Sequence, residues 1–183
     1  MATDHKRRTT DHRQMRASNE RIAAITYAAA LAVALLFVSA IIAAPLIESA
    51  GGDKTAASFI YLAYSRVCHQ IADRSFHIEG YPLAVCSRCF GIYSGYVLGL
   101  VVYPFSRPLT RTETPRRIWL LLALAPLAID FAGDWAGVFD NTMLSRALTG
   151  LMAGAAGAFF TLPGFVSLAS TTSRTPKEEY SGR

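Results

Sequence analysis

The chain has 183 residues, enough for one domain, of which 52% are hydrophobic and only 17% charged; a soluble domain is typically about 25% charged. The net charge of +5 does not point to nucleic acid, because the basic residues flank long uncharged runs, which is where they orient membrane proteins. A bilayer span needs about 20 consecutive mostly apolar residues, and the sequence offers four such stretches.

Residues 1–21 form a basic N-terminal segment carrying Lys6, Arg7, Arg8, Arg13, Arg16 and Arg21. The run that follows, residues 22–47, has no charge and is too long for a signal-peptide core of about 7–15 apolar residues. It reads as a first transmembrane helix, a signal anchor that stays.

Residues 48–88 form the first connecting segment. From Lys54 to Ile71 apolar residues (Phe59, Ile60, Leu62, Ala63, Val67) mix with Tyr61, Ser65 and Arg66, a pattern suited to a helix lying on the membrane surface or against the bundle. It leads into Cys68-His69-Gln70, a turn-like stretch from Asp73 to Pro82, and Cys86-Ser87-Arg88-Cys89. All three cysteines of the chain thus fall within 22 residues, beside His69 and His77. Two thiolates of a Cys-x-x-Cys pair reach one ion from a single turn, and Cys68 with one imidazole completes a tetrahedral Cys₃His set of the kind that holds structural zinc. His69 and His77 compete for the fourth place. Neighbouring residues on a helix point about 100° apart, so Cys68 and His69 share an ion only if the helix ends there. Two other readings stay open: a Cys86–Cys89 disulfide, since an external compartment is usually oxidising, and a thiol redox pair, although no βαβ pattern surrounds it. Phe90 follows Cys89 where c-type haem attachment needs histidine, which excludes that chemistry.

Residues 89–169 hold three more spans. The second runs from Phe90 to Phe105, short unless it starts near Cys86; the third runs from Ile118 to Phe139 and the fourth from Leu144 to Ala169. Gly91, Gly95 and Gly99 recur every fourth residue, as do Gly133 with Gly137 and Gly150 with Gly154. Small residues at this spacing let helix backbones approach closely, either inside the bundle or, through Gly91, Gly95 and Gly99, in a homo-oligomer. Asp130 and Asp134 share one helix face. Asp130 lies about 18 Å along the third span at 1.5 Å per residue, and Arg146 enters the fourth from the same side. Charges inside a membrane are costly and usually paired. A pair pinning the third and fourth spans is favoured over an ion path, which needs polar groups at several depths. Arg88 can join this cluster of Asp130, Asp134 and Arg146, or stabilise the thiolates beside it.

Thirteen of the eighteen basic residues lie in the N-terminal segment, in the loop with Arg107, Arg111, Arg116 and Arg117, and in the tail of residues 170–183. The positive-inside rule then predicts a bacterial cytoplasmic-membrane protein with both termini in the cytoplasm and residues 48–88 external.

The string Cys68-His69-Gln70, Arg74-Ser75-Phe76 and Cys86-Ser87-Arg88-Cys89-Phe90-Gly91-Ile92-Tyr93-Ser94-Gly95 resembles the signature of the domain-of-unknown-function family 2085 of predicted membrane proteins. The resemblance continues through Pro126, Asp130, Asn141, Arg146 and Gly150 and covers about Tyr61 to Gly154. Phe90 departs from it, where a small or hydroxyl residue is more typical. His77 has no counterpart in it, which favours His69 as the fourth ligand. The resemblance implies no known activity.

The expectation is therefore an all-α protein of four transmembrane helices with an external surface helix and a Cys/His-rich loop. Its expected zinc ligands are Cys68, His69, Cys86 and Cys89. The expected role is non-enzymatic: an accessory or structural subunit of a larger membrane complex, such as an electron-transfer or photosynthetic one, whose partners are other integral membrane proteins. The alternatives are a membrane thiol-disulfide protein using Cys86 and Cys89, and a metal-handling or transport protein using Asp130 and Asp134.

Overall fold

The computed structural model describes the backbone of residues 2–172 and the side chains of residues 13–172. The side chains of Lys6, Arg7 and Arg8, and all of Arg174, Lys177 and Arg183, lie outside the described residues. Among the described residues the chain is all-α apart from one minimal hairpin. In order come α1 (Ala2–Ser49), α2 (Lys54–Tyr64), a 3-10 turn (Ala72–Arg74), strands β1 (His77–Ile78) and β2 (Tyr81–Pro82), then α3 (Ser87–Ser106), α4 (Arg117–Trp135) and α5 (Met143–Thr172). Four of them, α1 from Arg13, α3, α4 and α5, are long and apolar enough to cross a membrane. The second span does begin beside Cys86, which makes it 20 residues long.

The glycines explain how α3 and α5 pack. A Cβ on Gly91, Gly95 or Gly99 would fall 2.1, 2.2 or 2.5 Å from the carbonyl oxygen of Ala147, Leu151 or Ala155. From the other side, a Cβ on Gly150 would lie 2.5 Å from the Arg88 carbonyl oxygen and one on Gly154 1.9 Å from that of Ile92. The two backbones are in contact along three turns, the close approach that small residues permit where lipid gives no hydrophobic drive. The glycine face is therefore taken up within the chain, and a second copy pairing through Gly91, Gly95 and Gly99 would have to displace α5. Gly154→Ala forces overpacking with no flexible side chain to yield, at a cost of about 1–3 kcal/mol or more. A lowered melting temperature of the detergent-solubilised variant checks this.

Gly133 and Gly137 are not such a pair. The third helix stops at Trp135, four residues short of Phe139, because Gly137 takes φ +66° just past its end. The Gly137 N–H donates to the Asp134 carbonyl (3.2 Å) and the Val138 N–H to that of Gly133 (2.9 Å), a Schellman closure for which glycine is the favoured residue. Residues 138–142 then form a loop, and the Phe139 ring lies over Gly133.

α4 packs chiefly on α5 and leaves Ile118, Trp119, Leu121, Leu122, Ile129, Phe131 and Trp135 exposed. A helix apolar on most sides with so little burial suits a lipid-facing position. The apolar core divides in two. Leu100, Tyr103, Ala158, Leu162 and Val166 with Ala23 fill one end of the bundle. Ile41, Ala44, Tyr64, Cys68, Leu83, Ala84 and Val85 fill the other, where the cysteines are.

Candidate metal centre

Each cysteine is delivered by a different local device. α2 starts on Asp53, whose carboxylate accepts the Thr55 N–H at 2.8 Å, and ends at Tyr64 rather than running on to Ile71. Its last turn donates the Cys68 N–H to the Tyr64 carbonyl at 3.0 Å. The chain reverses at Gln70, a non-glycine residue at φ +52°. A left-handed conformation costs an L-residue roughly 1–2 kcal/mol, and here hydrogen bonds offset it. The Gln70 N–H points at Cys68 Sγ (3.5 Å), while its Nε2 donates to the carbonyls of Tyr61 and Ala84, both at 2.7 Å. One side chain thus ties the end of α2 to the segment that precedes Cys86. Gln70→Ala takes the donor from the buried Ala84 carbonyl, at about 1–3 kcal/mol, while the Tyr61 carbonyl keeps the Ser65 N–H. It should loosen Cys68 from the other two thiols, and a faster loss of bound metal to a chelator is the measurement.

The hairpin brings the second pair of cysteines back. Glu79 and Gly80, at φ +50° and +83°, supply the two positive-φ residues of a two-residue turn. His77 then pairs with Pro82 and Ile78 with Tyr81. Leu83, Ala84 and Val85 are buried. The Ala84 N–H reaches the Ile41 carbonyl at 3.4 Å, an acceptor left free in α1 because Pro45, four residues on, has no N–H to give it. Tyr64 Oη adds a 2.5 Å bond to the Phe37 carbonyl. The loop is thus fastened to α1 before α3 begins, with Cys86 as its N-cap and Cys89 one turn in, on the same face.

The result is a cluster. The sulphurs of Cys68, Cys86 and Cys89 lie within 4.8 Å of one another, and among the described residues no other His, Cys, Asp or Glu joins them. All three thiols are free. The Cys86 N–H donates to Cys68 Sγ at 3.2 Å, so that sulphur accepts two backbone N–H groups. The adjoining Cys68 and then Cys89 thiols, as hydrogen-bond donors, bring Cys86 from the usual thiol range down to about 2, against the opposing effect of burial. Three sulphurs this close suit an ion bound at about 2.3 Å from each, as zinc is by thiolate. His69 is exposed. It lines the same cavity of about 400 Å³ as the thiols without bringing a ring nitrogen into their group. His77 is exposed on β1 and is no member of either.

The intramembrane charges meet beside this cluster. Arg88 Nη2 bonds Asp130 Oδ2 at 2.7 Å, with its guanidinium 5.4 Å from the centre of the Phe131 ring. Arg146 Nη2 bonds Asp134 at 3.3 Å, and Arg74 Nη1 reaches Asp134 at 3.9 Å. Asn141 joins the two pairs, donating to Asp130 Oδ2 at 3.0 Å and accepting from Arg146 Nε. Ser145 donates to Asp130 Oδ1 at 2.9 Å. It also exchanges bonds with Thr142 in a reciprocal cap at the start of α5. Asp130 and Arg146 are buried, and the polar partners satisfy them as buried charge requires. Arg88 therefore belongs to the charge cluster, and its partner is Asp130, whereas Arg146 takes Asp134. Sequence reasoning gave no role to Gln70, Arg74, Asn141 or Ser145. Gln70, Arg74 and Asn141 stood in the string that resembles the family signature, with no role attached; Ser145 had only its place directly before Arg146.

Residues 68–160 match the family described as Predicted membrane protein (DUF2085). The chain belongs to this family. The matched stretch begins at the first cysteine and holds every thiol, Arg88, both aspartates and Arg146, leaving α1 and α2 outside. A DUF2085 assignment with four apolar helices makes the chain an integral membrane protein. It is 37% identical over 138 residues to an uncharacterized protein of Methanocaldococcus jannaschii, covering 73% of this chain and 88% of that one. An uncharacterized protein of Methanothermobacter thermautotrophicus is 33% identical over 95 residues, covering 52% of this chain and 84% of the other. No solved structure matches the chain significantly.

Proposed function

We propose that this DUF2085 protein is a non-enzymatic membrane subunit whose Cys68, Cys86 and Cys89 hold one divalent ion, zinc by ligand type. The ion fixes the Cys loop as a rigid docking surface for other integral membrane proteins. The observation that carries the reading is the convergence of three free thiols from two separate chain segments, with backbone N–H donors already placed on Cys68 Sγ. Cysteine thiolates are ligands that zinc takes, and binding it fastens a segment that secondary structure alone holds weakly. Exposed Phe59, Leu62, Val67 and Ile71 around the loop are apolar anchors of the kind that interfaces use. The excess of basic residues in the N-terminal segment, the loop between α3 and α4 and the tail supports a non-cytoplasmic Cys loop and cytoplasmic termini.

Elemental analysis of protein purified without added metal, with thiol alkylation before and after chelation, tests this reading. One zinc per chain and three thiols protected until chelation are expected. A Cys86–Cys89 disulfide with no bound metal overturns it in favour of a redox pair. The topology is checked by reporter fusions at the C-terminus and near Gly51; activity of a periplasm-dependent reporter at the C-terminus would reverse it.

A further inference from the structure

Resting on the metal reading above, we propose that the ion's fourth coordination position is not filled by His69 but stays open to the adjoining cavity, where it takes a small carboxylate. Three observations carry this. First, the ligand group has three members: the exposed His69 flanks the thiols without placing a ring nitrogen among them. Three protein ligands with a free position is the arrangement of an ion that binds an exchangeable ligand, whereas four ligands close a structural site. Second, the cavity of about 400 Å³ that contains the thiols is walled by Arg74, Arg88 and Arg146, and no carboxylate lines it. Its size lies in the range of small-molecule sites, about 300–1,000 Å³. Third, the arginines keep donors in reserve. A guanidinium has five N–H groups. Arg88 gives only Nη2, to Asp130. Arg74 is half exposed and its contact with Asp134 is long, 3.9 Å.

A carboxylate satisfies both halves of such a site. One oxygen is a ligand for zinc, and the other accepts charge-assisted bonds from guanidinium, whose planar donor geometry matches a carboxylate. A neutral ligand would use only the metal. The apolar walls, Phe131, Val67 and Ile71, leave room for a short hydrocarbon portion behind the acid group.

The experiment uses the full chain in detergent, loaded with cobalt(II), and a titration with sodium acetate at ionic strength held constant by sodium perchlorate, which does not coordinate. The sulphur-to-cobalt charge-transfer band reports the thiolates and the visible ligand-field bands report the fourth ligand. Acetate should shift the ligand-field bands saturably, leave the charge-transfer band in place, and act equally on His69→Ala. Arg74→Gln, which touches none of the thiols' hydrogen bonds, should keep its cobalt and need about tenfold more acetate, the worth of one charge-assisted bond. Wild-type bands that ignore acetate and change in His69→Ala would show that the imidazole fills the position, overturning this proposal while the metal reading stands. Absence of any thiolate charge-transfer band would overturn both.

Discussion

Replacing Cys68 by alanine should leave the purified protein without its ion while the four long helices remain folded. Cys68 is the single ligand from the α2 side of the loop, and Cys86 and Cys89 alone offer two sulphurs from one turn. Metal binding to a complete thiolate-rich site contributes about 10–16 kcal/mol in small peptides that fold around zinc, so losing one of three protein ligands has a large effect on occupancy. The effect on fold should be local. The contact between α3 and α5 is made by backbone and glycine and does not pass through the thiols. The segment between Ser65 and Val85 does depend on them, since its regular structure is one 3-10 turn and two strands of two residues each. Limited proteolysis should therefore cut the Cys68→Ala protein, or the chelated wild type, first within that segment, with the helical circular dichroism kept. Because ligand thiolates compete with protons, acid should release the ion and reproduce the same cleavage pattern. Equal zinc content in Cys68→Ala and wild type would contradict the three-sulphur centre.

The spans and the thiol cluster were readable because each rests on a local rule. Uncharged runs of about 20 residues have one physical use, and three cysteines within 22 residues leave few arrangements. What escaped reading depended on where helices stop. The third helix looked continuous to Phe139 because residues 136–139 carry no charge, yet Gly137 accepts a left-handed φ at no steric cost and ends it early. That turn makes Asn141 a loop residue, free to sit between Asp130 and Arg146. Likewise α2 looked continuous to Ile71, but it ends at Tyr64, and the chain then reverses at Gln70 in a conformation that glutamine rarely takes. The glycine repeats were ambiguous for another reason: spacing says that something approaches closely, not whether it is α5 or a second copy. The pairing of the charges was open for the same reason. Asp130 and Asp134 share a face, and only the rotation of α4 against α3 and α5 assigns one to Arg88 and the other to Arg146.

That assignment predicts a specific pattern of rescue. Arg146→Leu alone leaves Asp134 with only the distant, half-exposed Arg74 and removes the bond to Asn141, in surroundings of low dielectric. Breaking a buried pair by removing one partner typically costs about 3–5 kcal/mol, whereas replacing both partners by apolar residues is often close to neutral. The melting temperature of Arg146→Leu in detergent should therefore fall markedly and recover for the most part in Arg146→Leu/Asp134→Leu. Adding Asp130→Leu to Arg146→Leu should not rescue, because it strands Arg88 as well; the loss should deepen. The mirror cycle, Arg88→Leu with Asp130→Leu, should show the same rescue, reduced in part because Ser145 and Asn141 lose their acceptor on Asp130. Residues in one hydrogen-bonded network commonly show coupling of about 0.5–3 kcal/mol in such cycles. A protein that used Asp130 and Asp134 as an ion path would behave differently, with little change in melting temperature in any variant. Strictly additive losses in both cycles would mean that the charges are not paired as described, and that α4 is held against α5 by its apolar contacts alone.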